Sequence, residues 1–350
     1  MKVLALENYY LSYPKRYDCT AKVTNKKSAQ SSMNADFLYF KGSQNLSDRI
    51  EIVTSSTPTQ LEKNIEENLG IKPLNATVKN FANGETYVNI KEGELRGKDV
   101  YLMPSGGKNV NDNLMETYLK ADAARRAGAA RVIAVMPNYD YARQEKRTEK
   151  GEPIAAKLNM DLLKTSGVDE VITEDLHTPA IEGFASNGIR ITHLESLPLI
   201  KEYIENKKLE DVVIVSPDVG GTKRADNLAK SLNCEKAIIY KHRQAHNEAT
   251  AKDIIGDVQG KNCVIYDDII DTAGTIAEAA KLLKGKGAKD IYVCATHGLF
   301  NGDAMQKLQN APVKEVIVTN SKPIGNDAIS KIKQVDISVQ IAEAMRKISA

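Results

Sequence analysis

From residue 50 onward, short apolar runs alternate with stretches whose apolar residues recur at helical spacing, and no other feature of the sequence narrows the fold as far. The runs at 50–55, 76–81, 99–105, 131–138, 170–175, 212–217, 236–241, 262–268, 290–298 and 315–321 read as strands. Between them lie helical stretches such as TPTQLEKNIEENLG and NDNLMETYLKADAARRAG, the second ending at Gly128 as a helix C-terminus often does. Strands that alternate with helices predict parallel sheets flanked by helices, the α/β class. RVIAVMPNYDYARQ, a helix and EVITEDLH are echoed by KAIIYKHRQAHNE, a helical stretch and NCVIYDDIIDTAGT, which points to two related domains. A chain of 350 residues, 42% hydrophobic, has room and core enough for both. In such sheets ligands collect beyond the carboxyl ends of the strands, so the residues just after each apolar run carry the functional reading.

Composition removes several alternatives. A net charge of +2 is too balanced for nucleic-acid binding by bulk charge, and no nucleic-acid partner is expected. Cys19, Cys234, Cys263 and Cys294 form no CxxC pair or zinc knuckle and read as reduced thiols. No apolar run approaches the roughly 20 residues of a membrane span, and no membrane partner is expected. MKVLALENYYLSYPKR lacks a signal-peptide layout, and Glu7, Asp18 and Asp36 with mainly Lys fit a mitochondrial presequence poorly. The expected location is the cytoplasm. Residues 1–49 fall outside the alternating pattern and read as an accessory arm with no legible role.

The most chemical stretch is VIYDDIIDTAGT. Cys263, Val264 and Ile265 read as a buried strand, Asp267 and Asp268 sit at its carboxyl end, and Asp271 follows. Thr272, Ala273, Gly274 and Thr275 then open a helix. A small-residue turn lets backbone N–H groups converge, and the helix N-terminus adds its positive dipole. That is a cradle for a monophosphate. The acids repel phosphate, so they must hold something else on the same molecule, either sugar hydroxyls or a bridging metal. A phosphorylated pentose satisfies both halves; an acidic helix cap after a strand is the plain structural alternative.

Three further motifs lie in the first half. FANGETYVNI combines an Asn-Gly turn with an aromatic before it and a carboxylate after. YARQEKR gathers Arg143, Gln144, Lys146 and Arg147 beyond a strand end, suited to a polyphosphate or to plain solvation. In EDLHTP an Asp and a His two apart share one side of an extended segment, with His177 a metal or phosphate ligand or a satisfied structural histidine. With RGKDVYLMPSGG, PIAAKL, VSPDVGGTKRA, IIGDV and ATHGLF, these motifs resemble the ribose-phosphate pyrophosphokinase (PRPP synthetase) family in order and spacing from about residue 50 to the C-terminus.

That resemblance implies two pseudo-repeated type I phosphoribosyltransferase-like domains, each a mostly parallel sheet flanked by helices. It implies an N-terminal extension at 1–49, an ATP-side domain at 50–193 joined by a C-terminal helix at 337–350, and a ribose 5-phosphate side at 194–336. The implied reaction transfers the β,γ-diphosphate of ATP to ribose 5-phosphate. Phe81, Asn83 and Glu85 would contact adenine across a subunit boundary, and Arg143 and Gln144 would bind ATP. Asp267 and Asp268 would face the ribose hydroxyls, and Asp271, Thr272, Ala273, Gly274 and Thr275 would hold the 5′-phosphate. His177 and Asp218 would lie at a magnesium (Mg2+) site, and Lys241 and Arg243 would be the mobile catalytic pair. A dimer-based homo-oligomer, up to a hexamer, is implied as well. The physics agrees: two like unit charges 4 Å apart cost roughly 4 kcal/mol at an effective dielectric of 20, so joining two polyanions demands cations.

The sequence departs from the family after DLH, where TPAIEGFASNGIRI keeps only Gly183 and Phe184 of a Gln-rich, Phe-Phe segment. Ala180 and Glu182 replace glutamines, Ala185 replaces a Phe, and TEKGEP lacks the usual Arg. Glu94 and Glu182 would put negative charge where a regulatory anion should bind, so weakened phosphate activation and ADP inhibition are expected. A phosphoribosyltransferase would explain DDIIDTAGT but leave FANGE, YARQ and DLH unused. A non-catalytic regulatory subunit is the other alternative.

Overall fold

The computed structural model describes residues 46–90, 95–106, 109–242, 251–325 and 327–350, with the backbone alone at 241, 242, 251 and 252. Helix α1 (Leu46–Arg49) leads into β1 (Ile50–Val53), α2 (Gln60–Leu69), the hairpin β2 (Thr77–Asn80) and β3 (Thr86–Asn89), β4 (Asp99–Leu102), α3 (Val110–Arg126), β5 (Arg131–Val135), α4 (Ala155–Thr165) and β6 (Glu170–Glu174). A 3-10 turn (Pro179–Phe184) precedes β7 (Arg190–Leu194) and α5 (Leu197–Asn206). There follow β8 (Val212–Ser216), α6 (Thr222–Leu232), β9 (Glu235–His242), β10 (Ala251–Ile255), β11 (Asn262–Ile270), α7 (Gly274–Gly285), β12 (Ile291–Gly298), α8 (Ala304–Asn310), β13 (Glu315–Thr319), β14 (Ile332–Val335) and α9 (Ser338–Ile348).

The first sheet has the order β1-β4-β5-β6-β7, every pairing parallel. The second runs β10-β9-β8-β11-β12-β13-β14 and is parallel except for β10 against β9. The alternating pattern thus yields two parallel sheets flanked by helices. The run at 76–81 was expected to continue the series. It instead forms an antiparallel hairpin with β3, because the Asn83-Gly84 turn folds it back and Gly84 takes φ +91°, open to glycine. Strands β7, β10 and β14 escaped the reading because RITHL, AKDII and IKQV are short and carry polar residues.

Each sheet is covered on both faces. Val100, Leu102, Val132, Ala134 and Val171 face a core shared with α3 and α4, while Ile50, Ile52, Tyr101, Ile133 and Ile172 face α2 and α9. The fully buried Ile341 and Met345 bring α9 back onto this first sheet, and the Tyr101 hydroxyl donates to the Met345 carbonyl at 3.0 Å. Truncating such a side chain to Ala typically costs about 2–5 kcal/mol. The second sheet packs Val213, Val215, Ile265 and Val293 against α7 and α8, and Ile214, Val264 and Tyr292 against α5 and α6. Helix α2 shows the capping that isolates these elements: Thr59 accepts from the Glu62 N–H and Gly70 closes the helix in the left-handed region. Among the described residues no helix is long and apolar enough to cross a membrane.

Candidate functional site

Strand β11 is central in its sheet, between β8 and β12, and carries Asp267 and Asp268 to the carboxyl edge. Two long-range partners meet them there. Arg224, in the first turn of α6, brings one Nη1 to 3.2 Å from an oxygen of each carboxylate. His177, from the loop after β6 of the other sheet, donates through Nδ1 to Asp268 Oδ2 at 2.6 Å. Burial pushes Asp267 up to about 7. Burial acts in the same direction on Asp268, but the His177 hydrogen bond and Arg224 outweigh it and hold Asp268 well below the usual carboxylate range. The same bond raises His177. The acid pair therefore shares its negative charge unequally, with Asp268 ionised between the Arg224 guanidinium and the His177 N–H.

The 271–275 turn follows. Ala273 stands before α7 with φ +56°, a left-handed conformation that costs an L-residue roughly 1–2 kcal/mol. It turns the chain so that the first N–H groups of α7, from Gly274 onward, point out with no side-chain acceptor capping them. Asp271 turns away from this cradle. Its Oδ2 pairs with Arg143 Nη2 at 2.7 Å and its Oδ1 accepts from Asn301 Nδ2 at 2.8 Å. Those two contacts outweigh the effect of burial and lower its pKa.

Arg143 and Gln144 follow β5, so the Arg143–Asp271 pair is a second bridge between the two carboxyl edges. A cavity of about 280 Å³ lies against it, lined by Tyr141, Arg143, Gln144, Ile269, Leu299 and Asn301. It adjoins a cleft of about 480 Å³ that shares Asn138, Asp140, Leu299 and Asn301 and extends to Lys322. The hairpin tip is elsewhere: among the described residues no hydrogen bond or ion pair ties Phe81, Asn83 or Glu85 to Arg143 or Gln144. Phe81 is 56% exposed, touching Tyr87 edge-on at 6.0 Å, and Asn83 Oδ1 accepts from the Glu85 N–H at 3.2 Å.

Asp218 follows β8 and accepts from the Gly221 N–H at 2.9 Å through Oδ1. Among the described residues no group of three or more His, Cys, Asp or Glu side chains is set to hold a metal. Magnesium needs only one or two protein carboxylates and completes its shell with phosphate oxygens and water. Lys241 lies on β9 opposite Lys252; its side chain, like Arg243 and Glu94, falls outside the described residues. Glu182 accepts from His193 Nδ1 at 2.6 Å.

One expectation is corrected. Asp175 and His177 do not share one side of an extended segment. Asp175 has φ +37°, so the chain twists between them, sending Asp175 toward Ser196 and Thr296 and His177 toward Asp268. Arg224 and Asn301 were missed. Arg224 stands in VSPDVGGTKRA six residues after Asp218, and a helix after that loop was the signal that could have placed it.

This fold and site define a protein of two phosphoribosyltransferase-like α/β domains. Residues 50–167 match the N-terminal domain of ribose phosphate pyrophosphokinase, and 246–350 match the phosphoribosyl synthetase-associated domain. The chain is 42% identical over 302 residues to the ribose-phosphate pyrophosphokinase of Clostridium acetobutylicum, covering 85% of this chain and 94% of that one. It is 42% identical over 300 residues to that of Aquifex aeolicus, covering 85% and 96%. The crystal structure of phosphoribosylpyrophosphate synthetase from Mycobacterium smegmatis superposes with a TM-score of 0.79 at 36% identity, covering 86% of this chain and 98% of that one. The chain belongs to the ribose-phosphate pyrophosphokinase family.

Proposed function

We propose that this chain transfers the β,γ-diphosphate of ATP to the anomeric hydroxyl of ribose 5-phosphate, giving phosphoribosyl pyrophosphate and AMP for nucleotide biosynthesis. As a member of its family it is a ribose-phosphate diphosphokinase. The observation that carries the reading is the double bridge, His177 to Asp268 and Arg143 to Asp271, which brings the carboxyl edges of both sheets to one cleft.

In this reading Asp267 and Asp268 hold the ribose hydroxyls, with Arg224 and His177 keeping Asp268 ionised. Phosphate enters the uncapped N-terminus of α7, where Gly274 and Thr275 offer N–H groups and Thr272 and Thr275 hydroxyls. Arg143 exchanges Asp271 for the ATP phosphates, and Gln144 flanks them. The anomeric oxygen bonds to the β-phosphorus as that phosphorus releases the AMP oxygen, and the hydroxyl proton passes to solvent. Such transfer needs positioning and charge more than covalent help. Lys241 and Arg243 supply further cations. Magnesium, held at His177 and Asp218, would neutralise phosphate charge when bound.

The adenine site is assigned to Phe81, Asn83 and Glu85 of a neighbouring copy, and the exposed Phe81 supports that assignment. Exposed Met115, Leu158 and Leu162 on α3 and α4 support a dimer-based homo-oligomer. The domain division at 50–193 with 337–350, and 194–336, is retained; the packing of α9 on the first sheet supports it. Free Cys234, Cys263 and Cys294 fit a reducing compartment such as the cytoplasm. Weak phosphate activation is retained too, because Glu182 keeps a carboxylate in the departing segment; strong dependence of activity on phosphate would end that idea. The main test is AMP formation from ATP and ribose 5-phosphate with no base added. Base-dependent release of pyrophosphate from phosphoribosyl pyrophosphate, without AMP formation, would favour a phosphoribosyltransferase instead.

A further inference from the structure

We propose, resting on the diphosphoryl-transfer reading above, that Asp175, Ser196 and Thr296 are positioning residues: a hydroxyl–carboxylate clamp between the sheets that fixes His177 against Asp268. Asp175 Oδ2 accepts from the Thr296 hydroxyl at 2.5 Å, from the Ser196 hydroxyl, and from the Ser196 N–H at 3.3 Å. Ser196 and Thr296 are fully buried. Hydroxyls sealed from water need partners, and a carboxylate is the strongest available acceptor.

Register makes the clamp relevant to the chemistry. On β11 and β12, Asp267 faces Ala295 and Ile269 faces His297, so Asp268 and Thr296 occupy neighbouring places on adjacent parallel strands. Asp175 and His177 are two residues apart on the opposing loop. Asp175–Thr296 and His177–Asp268 are therefore adjacent rungs between the same two segments. The hydroxyl ends of the first rung are fully buried and Asp175 is half-buried; the second rung opens to the site, with the His177 side chain 36% exposed.

The surroundings stiffen the buried rung. The Thr296 carbonyl accepts from the Thr319 hydroxyl at 2.7 Å. His297 lies between the Glu174 carbonyl at 3.1 Å and the Ser321 hydroxyl at 2.9 Å. A carbonyl can only accept, so Nε2 carries the proton and Nδ1 accepts from Ser321. Asp175 itself is held in a left-handed conformation, a strain that persists only where neighbours overdetermine it. Apolar packing alone could join the sheets without desolvating a carboxylate and two hydroxyls. What hydrogen bonds add is a defined distance, and a displacement near 1 Å can cost about 10²-fold in rate.

Thr296→Val removes the donor and keeps the shape; Thr296→Ser keeps the donor. The expected result for Thr296→Val is kcat lower by about 10- to 100-fold with KM for both substrates within about 2-fold, and Thr296→Ser restoring most of the rate. At fixed pH the ¹⁵N signal of His177 Nδ1 should shift in Thr296→Val and not in Thr296→Ser. Unchanged kcat with an unmoved His177 signal overturns the proposal, as do equal losses in both variants, which would mean packing alone. If Thr296→Val fails to fold, Ser196→Ala against Ser196→Thr makes the same comparison. Failure of the wild type to make AMP would refute the reaction, while the His177 signal would still decide the clamp.

Discussion

The 267–275 segment, which closes β11 and leads into α7, and the 81–85 turn are built in opposite ways. In the first, Asp267 and Asp268 are bound by Arg224 and His177, and Asp271 by Arg143 and Asn301, so three carboxylates are fixed by residues from both sheets. In the second, among the described residues, Asn83 bonds locally to Glu85, and Phe81 stands 56% exposed with one ring contact. Even with both adjoining cavities counted, the polar groups converge on the 267–275 segment. That segment is preorganised within a single chain; the hairpin tip presents an aromatic that, among the described residues, only Tyr87 meets ring to ring. Preorganised groups need no rearrangement when charge develops in the reaction. An exposed aromatic gains only when a ligand or another copy covers it.

Asp268→Asn should have the largest effect. It removes the charge that His177 and Arg224 share and leaves both with a weaker partner. The loss of a group that positions both its partners and the substrate acts on the rate, so kcat/KM measured on folded protein should fall about 10²- to 10³-fold. A loss under 10-fold would mean that the acid end is not the anchored one. Phe81→Ala should come next and act differently. Base–aromatic stacking contributes about 1–3 kcal/mol, so KM for ATP should rise about 10-fold, with KM for ribose 5-phosphate and thermal stability unchanged. Equal changes in both KM values would erase the distinction between the two ends.

The smallest effect concerns Glu174, behind the site, and is one of stability. Burial raises this carboxyl from 4.5 to about 8, with Oε1 accepting from Gln340 and Oε2 without a partner among the described residues. Between those values the folded chain holds a proton that the unfolded chain has lost, so stability falls as pH rises through the window. Glu174→Gln removes that linkage. Its melting temperature should exceed that of the wild type at pH 8 by clearly more than at pH 5. A gap that does not change with pH would mean that Glu174 does not take up the proton.

Much of this was legible in the sequence, for local reasons. Apolar runs of strand length, interrupted by helical periodicity, can bury themselves only in parallel sheets covered on both faces. DDIIDTAGT announces its chemistry because a phosphate cradle needs consecutive backbone N–H groups, and consecutive residues are what a sequence displays. The sequence by itself therefore determined two α/β domains and the small-residue turn that opens the helix after Asp271. It could not determine that Arg224 joins Asp267 to Asp268, that Asp175 turns away from His177, or that Thr296 stands beside Asp268. Arg224 lies 43 residues from Asp267 and Asp175 lies 121 from Thr296, and each pair meets only through strand register and the packing of elements. No periodicity within one segment records such meetings, so only the tertiary structure decided them.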